Sequence, residues 1–191
     1  ARTTEIGFAD LTGLTIATVY GETYNTKEQL VAADLGIDVT NYIRQSEDFT
    51  AADWVDNANI TVTANTTTNP INGATTADTF AKTNTGTNYV VSQLMNTATL
   101  VIGDVYTFSI YVKKIDSTVG RVYVFPGQSV NDIDWDVDGE AISDGWRRHS
   151  VTFTATSAEP YIYIYPESPI NEGSIYVFGA MLNKGDVAGS Y

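Results

Sequence analysis

From Ile60 onward, apolar and polar residues alternate with a period of two in several short stretches. This period places the apolar side chains on one face of an extended chain, which predicts half-buried β-strands. Turn-forming sequences such as Asn72-Gly73 and Pro126-Gly127 separate the stretches. Many short strands joined by turns favour a sandwich of two β-sheets over a parallel α/β sheet. The stretches are residues 60–64, 105–113, 122–125, 151–154 and 161–165.

The first 40 residues lack this alternation, because their apolar residues are scattered among threonines and glycines. The spacing Thr26-x-x-Gln29 is that of a helix capping box, and it predicts one short helix over roughly residues 27 to 35. A segment this short cannot bury its own apolar residues. We therefore predict two regions: an extended arm (1–40) that docks on the sandwich, a neighbouring subunit or a larger particle, and a β-sandwich (41–191). The candidate docking residues are Leu11, Leu14 and Ile16.

Charge and cysteine content exclude several classes of protein. The chain has 191 residues and a net charge of −13, from 10 basic and 23 acidic residues. A protein that binds duplex nucleic acid or an anionic membrane needs a basic surface, so we predict neither partner. No cysteine is present, which excludes disulfides and thiolate metal sites. The sequence has no apolar run long enough to span a bilayer and no signal peptide at its start.

Tyrosines form rows on the predicted strands. Tyr161, Tyr163 and Tyr165 share one strand face, and Tyr123 lies with Phe125 in a shorter row. Tyrosine is flat and amphipathic, so such rows suit sugar stacking or protein interfaces. Tyrosine is also common as a half-buried sheet residue with no ligand. Three interpretations of this group thus remain open: sheet packing, a subunit interface and a glycan platform. Tyr111 and Tyr176 are additional candidates for the same roles.

No catalytic motif is present. His149 is the only histidine, and neither a nucleophile motif nor a second histidine for zinc accompanies it. We interpret it as a surface or sheet-edge residue. No pair of carboxylates is marked out as a glycosidase pair. We therefore predict no catalytic residue and no cofactor.

An acidic stretch near residue 135 invites a metal-site interpretation. Asp134-x-Asp136-x-Asp138 matches the start of a calcium-binding loop, but the twelfth position is Gly145 instead of the required glutamate. Trp135 and Val137, which alternate with the aspartates, are typical of the core face of a strand. We therefore interpret residues 132–138 as a strand, predict no metal there, and expect Trp54, Trp135 and Trp146 to be buried.

Five sequence motifs follow one another along residues 41–191. They are residues 41–49 leading to Trp54, residues 72–78, residues 106–113, Gly145-Trp146-Arg147-Arg148 before 149–154, and residues 175–182 before Gly189-Ser190-Tyr191. This ordered set resembles the carbohydrate-binding-module-like jelly-roll domains of tailed-phage structural proteins. The resemblance implies an all-β jelly-roll β-sandwich, here with an N-terminal extended arm and one short helix.

The resemblance also implies a non-enzymatic protein on the virion surface, made in the host cytoplasm. A capsid decoration or cement protein is favoured, because the chain is short and carries no shaft repeat. Its partners would be the major capsid protein or tail proteins, and it would form a homotrimer. The alternative is a tail-fibre or tail-tip domain that binds host surface glycans. A third interpretation is the binding module of a secreted carbohydrate-active enzyme.

Overall fold

The computed structural model describes residues 17–19, 22–24, 40–57, 59–86, 89–93, 99–126, 132–168 and 171–191. Every regular element in these ranges is a β-strand, which confirms the all-β prediction. None of the described residues forms a helix that is long and apolar enough to cross a membrane. The strands are β1 (Ala17–Val19), β2 (Glu22–Tyr24), β3 (Trp54–Asp56), β4 (Ile60–Thr68), β5 (Thr75–Lys82), β6 (Val90–Gln93), β7 (Val105–Lys114), β8 (Val119–Phe125), β9 (Asp132–Asp134), β10 (Glu140–Ala141), β11 (Trp146–Thr154), β12 (Tyr161–Tyr165) and β13 (Gly173–Lys184).

Only part of the predicted arm is described. Strands β1 and β2 pair antiparallel and form a two-stranded sheet that the sequence pattern did not predict. The predicted helix over residues 27–35 and the candidate docking residues Leu11, Leu14 and Ile16 lie outside the described residues. The division of the chain near residue 40 therefore stays a prediction.

The remaining strands form two antiparallel sheets that make the predicted sandwich. The six-stranded sheet has the order β10-β11-β7-β13-β5-β4, and the five-stranded sheet has the order β3-β6-β12-β8-β9. Alternate side chains of both sheets point into one core, as the period of two predicts. Phe80, Phe108 and Ile110 come from the six-stranded sheet, and Val124 and Ile162 come from the five-stranded sheet. All five are 0 % exposed.

The segment ahead of β3 closes one side of this core. Phe49 is fully buried, with its ring centroid 4.8 Å from that of Trp54 and 5.2 Å from that of Phe80. The Phe49 N–H donates to Asp78 Oδ2 at 3.0 Å. Upstream, Asn41 Nδ2 donates to the main-chain oxygen of Ala180 at 3.0 Å. These contacts make residues 41–54 part of the sandwich's packing.

The three tryptophans are buried, as expected: Trp54, Trp135 and Trp146 are 4 %, 0 % and 3 % exposed. Trp54 and Trp135 belong to the main core. Trp146 belongs to a second, smaller cluster with Tyr111 and Phe178. Along their strands, Tyr111, Trp146 and Phe178 alternate with residues that face the main core. The second cluster therefore lies on the outer face of the six-stranded sheet.

The prediction of a strand over residues 132–138 is wrong beyond Asp134. The chain turns there, because aspartate side chains satisfy the local N–H groups: Asp134 Oδ1 accepts from Asp136 N–H, and Asp138 Oδ2 accepts from Asp134 N–H, both at 2.9 Å. Val137, expected in the core, is 66 % exposed. The repulsion between neighbouring carboxylates is relieved by Lys114, whose Nζ lies 2.6 Å from Asp136 Oδ2.

The interpretation of His149 as a surface residue is also wrong. His149 is 3 % exposed on β11, which is paired on both sides, by β10 and β7. The turn after β9 covers it: the His149 ring meets the Trp135 ring edge to face at 5.0 Å, and a Cβ added to Gly139 would lie 2.8 Å from His149 Nδ1. Burial, together with the charge of Arg147, lowers the pKa of His149 to about 4.

Candidate aromatic binding face

The predicted tyrosine row lies on the outer face of the five-stranded sheet. On β12, Ile162 and Ile164 are 0 % exposed and face the core, so Tyr161, Tyr163 and Tyr165 must point outward. The antiparallel register of β12 with β8 sets Tyr161 opposite Phe125, Tyr163 opposite Tyr123 and Tyr165 opposite Arg121. The four candidates Tyr123, Tyr161, Tyr163 and Tyr165 therefore lie side by side.

The rings of this face form one connected group with Tyr163 at its centre. We call the group the aromatic face; it comprises Tyr89, Tyr123, Phe125, Tyr161, Tyr163 and Tyr165. The rings of Tyr163 and Tyr165 are nearly parallel, with an interplanar angle of 29°. The distances from the Tyr163 ring centroid are 4.8 Å to Tyr89, 5.9 Å to Tyr123, 6.2 Å to Tyr161, 6.5 Å to Phe125 and 6.5 Å to Tyr165.

Sequence reasoning left two members out of its candidate set. Phe125 was assigned to a row with Tyr123 but was not singled out as a site residue. Tyr89, immediately ahead of β6, was missed altogether, although its ring meets those of Tyr163 and Tyr165 at 87° and 65°. The pairing of β6 with β12 brings Tyr89 to this place. No pattern within the sequence around Tyr89 reveals that pairing.

Exposure is uneven across the aromatic face. Phe125 is 46 % exposed and Tyr161 36 %, whereas Tyr163 and Tyr165 are half-buried. Burial, and then the neighbouring tyrosines, raise the pKa of Tyr163. Burial also raises the pKa of Tyr165, against the opposing charge of Arg121. Both hydroxyls therefore stay uncharged at physiological pH and can donate and accept hydrogen bonds.

This arrangement combines two kinds of contact. Exposed ring surface can stack on the C–H face of a sugar, and phenolic hydroxyls at the same surface can pair with sugar hydroxyls. The Arg121 side chain adjoins it, with the guanidinium carbon 6.0 Å from the Tyr165 ring centroid. The face thus has an exposed apolar end, at Tyr161 and Phe125, and a more polar end at Tyr165.

The other candidates are less suited to a ligand. Tyr111 is 5 % exposed, with the Tyr191 ring 6.0 Å away. A shallow cavity of ≈ 250 Å³ lies beside Trp146, but two of its polar side chains are already engaged. Asp136 pairs with Lys114, and Arg147 Nε donates to the main-chain oxygen of Asp136 at 2.7 Å. Within the described part of the chain, no group of three or more acidic or histidine side chains could hold a metal ion.

No protein-family model matches this chain. No curated protein matches it either.

Comparison by structure finds matches that include carbohydrate-binding modules and a phage tailspike domain. The C-terminal family 22 carbohydrate-binding module of Clostridium thermocellum xylanase 10B matches with a TM-score of 0.52 and 14 % identity, covering 78 % of this chain and 98 % of the module. The module TmCBM61, solved with β-1,4-galactotriose, matches with a TM-score of 0.51 and 13 % identity, covering 76 % and 99 %. The enzymatically active domain of tailspike protein 4 from bacteriophage CBA120 matches with a TM-score of 0.50 and 10 % identity, covering 76 % of this chain.

The extent of these matches defines what is similar. The chain spans nearly the whole of both isolated modules, but only 21 % of the tailspike chain and 30 % of a chain in which a family 22 module is joined to a xylanase module. At these identities the likeness concerns the fold. This protein therefore has a jelly-roll sandwich of the kind found in carbohydrate-binding modules, as its sequence motifs predicted.

Proposed function

We propose that this protein binds glycans through its aromatic face, as a non-enzymatic component of a tailed-phage virion surface. The observation that carries the proposal is the connected group of six rings on the outside of one sheet. An outer cluster that served only for packing would be covered, as Tyr111, Trp146 and Phe178 are on the other sheet. Phe125 and Tyr161 instead expose 46 % and 36 % of their surface.

The rings are positioned before any ligand arrives. Each is in contact with at least one other ring of the group, and β8 and β12 are paired along the whole length of β12. Binding to such a surface costs little side-chain entropy, because the rotamers are already restricted. A flexible set of tyrosines on a loop would lose more free energy on ordering.

Charge favours an uncharged glycan as the ligand. The chain carries a net charge of −13, so its field repels polyanions. The tyrosine hydroxyls stay neutral, since burial raises the pKa of Tyr163 and Tyr165. Neutral sugars, which offer hydroxyl groups and apolar C–H faces, match this surface.

The virion placement rests on the ordered motifs of residues 41–191 and on the similarity in fold to a phage tailspike domain. A tail-fibre or tail-tip domain that binds host surface glycans would use the aromatic face directly. A capsid decoration protein, bound to the major capsid protein as a homotrimer, is the second candidate and rests on the same motifs. Locating the protein on purified particles by cryo-electron microscopy distinguishes the two placements.

Glycan binding is tested with an array of neutral and acidic oligosaccharides that includes xylohexaose and β-1,4-galactotriose. The wild type is compared with Tyr161→Ala, Phe125→Ala and the double variant. Removing an exposed stacking ring should weaken binding about tenfold, and the double variant should lose it. Ile71→Ala is the matched control, because Ile71 is 47 % exposed but lies in the turn between β4 and β5 of the other sheet. A wild type that binds no glycan, or a double variant that binds as well as the wild type, contradicts the proposal.

A further inference from the structure

A buried cation lies at the end of β5, in the sheet opposite the one that carries the aromatic face. Lys82 is only 2 % exposed. Its Nζ donates to the main-chain oxygen of Ser168 at 2.8 Å and to that of Asn171. Both acceptors belong to the connection between β12 and β13, of which residues 166–168 and 171–172 are described. Burying an ammonium group costs free energy unless hydrogen-bond acceptors replace its water, so the burial of Lys82 depends on these two contacts.

The same connection carries a buried anion. Glu167 is 1 % exposed, and its carboxylate accepts the N–H groups of Thr118, Val119 and Ser168. Burial alone would raise the pKa of Glu167, but these hydrogen bonds outweigh it and hold the pKa below its ordinary value. Burial lowers the pKa of Lys82, and the negative charge of Glu167 opposes that fall.

Two converging main-chain oxygens with a nearby ionised carboxylate are the oxygen donors that a hard cation prefers. We infer that the main-chain oxygens of Ser168 and Asn171, together with the Glu167 carboxylate, form a cation site that the Lys82 ammonium occupies. The ion is thus supplied by the chain itself, and these oxygen ligands need no metal. Shortening Lys82 should leave a site for a small ammonium ion or a hard metal cation.

The same connection also supports the last residues of β12. The Pro166 oxygen, directly after Tyr165, accepts from Trp135 Nε1 at 2.9 Å and from Ser117 Oγ at 2.6 Å. The Glu167 carboxylate is closely packed, since a Cβ added to Gly173 would lie 3.0 Å from Glu167 Oε2. This inference concerns the stability of this connection, so it stands or falls independently of glycan binding.

The test is chemical rescue in the full chain. Lys82→Ala removes the side chain beyond Cβ, and n-propylammonium supplies the missing atoms; potassium and calcium are tried separately. Melting temperatures are recorded with chelator and with each cation, and tetramethylammonium chloride at equal ionic strength serves as the salt control. Lys184→Ala is the control variant, because the Lys184 side chain is 47 % exposed and pairs with Asp104 at the surface.

We expect the wild type to melt at the same temperature with chelator and with every cation. Lys82→Ala should melt about 10 °C lower, since it removes the cation near the buried Glu167 carboxylate and leaves two main-chain oxygens without this donor. It should recover several degrees, in a saturable manner, with propylammonium or one of the metal ions, whereas Lys184→Ala should not respond. If Lys82→Ala is unfolded, the same cations should restore folding. Failure of every cation to restore stability or folding, a Lys82→Ala melting temperature equal to that of the wild type, or a wild type destabilised by chelator overturns the inference.

Discussion

Replacing Phe49 by alanine tests whether the segment ahead of β3 belongs to the sandwich core. Phe49 is 0 % exposed, and its ring contacts those of Trp54 and Phe80 at centroid distances of 4.8 and 5.2 Å. The hydrogen bond from its N–H to Asp78 is a main-chain contact that alanine can keep. The substitution therefore isolates the contribution of the ring.

Loss of a buried phenylalanine ring costs about 3–5 kcal/mol, because the transfer free energy and the cavity left behind add together. A domain of this kind has a total stability of about 5–15 kcal/mol, so the change removes a large share of it. At about 2–4 °C per kcal/mol, the melting temperature should fall by roughly 10 °C.

The assay is urea unfolding of the full chain, monitored by circular dichroism. The slope m should be the same for the wild type and the variant if both unfold in two states. Ile71→Ala serves as the control and should change the free energy of unfolding by less than about 0.5 kcal/mol, because Ile71 is 47 % exposed. A Phe49→Ala variant that loses less than about 1 kcal/mol would refute the assignment of residues 41–54 to the core.

Three further predictions follow from the fold. A chain that starts at Asn41 should be soluble, rich in β-structure and cooperative in melting, since it keeps the hydrogen bonds of Asn41 to Ala180 and Leu182 of β13; aggregation would show that the arm is part of the core. His149 is buried with a pKa of about 4 against an ordinary 6.5, so the unfolded state binds the extra proton and stability falls as pH drops from about 6.5 to 4. The loss attributable to His149 should approach about 3 kcal/mol, measured as the difference between the wild type and His149→Leu at pH 7 and pH 4; equal pH dependence of the two proteins would contradict it. Asp136→Asn should cost less than about 1 kcal/mol and add no dependence on calcium, because Asp136 pairs with Lys114 at an exposed site; a chelator-dependent drop in wild-type melting that this variant abolishes would show a calcium site instead.

The period of two in the sequence was sufficient to predict which residues of a strand face outward. Tyr161, Tyr163 and Tyr165 point away from the core because Ile162 and Ile164 point into it. It was not sufficient to predict which strands are neighbours, since strand pairing depends on the whole sheet. Tyr89 therefore entered the site only through the pairing of β6 with β12.

Two effects account for the wrong predictions: local hydrogen bonding, and burial of a residue by another segment of the chain. Alternation around Trp135 indicated a strand, but the Asp134 and Asp138 side chains bond to nearby N–H groups and favour a turn. The same turn packs over His149 and buries it. Its sequence neighbours Arg147 and Arg148 had instead indicated a surface position. Neither effect is visible in the hydrophobic pattern.

The central claim is that the aromatic face binds a neutral glycan. The most direct measurement is an NMR titration of protein labelled at its tyrosine and phenylalanine rings with the best neutral oligosaccharide from the array. The account predicts saturable shifts at the rings of Tyr161, Phe125 and Tyr163, with little change at Tyr111 on the other sheet. Saturable binding that leaves the rings of the aromatic face unshifted, or the absence of saturable binding to any neutral glycan, would contradict it.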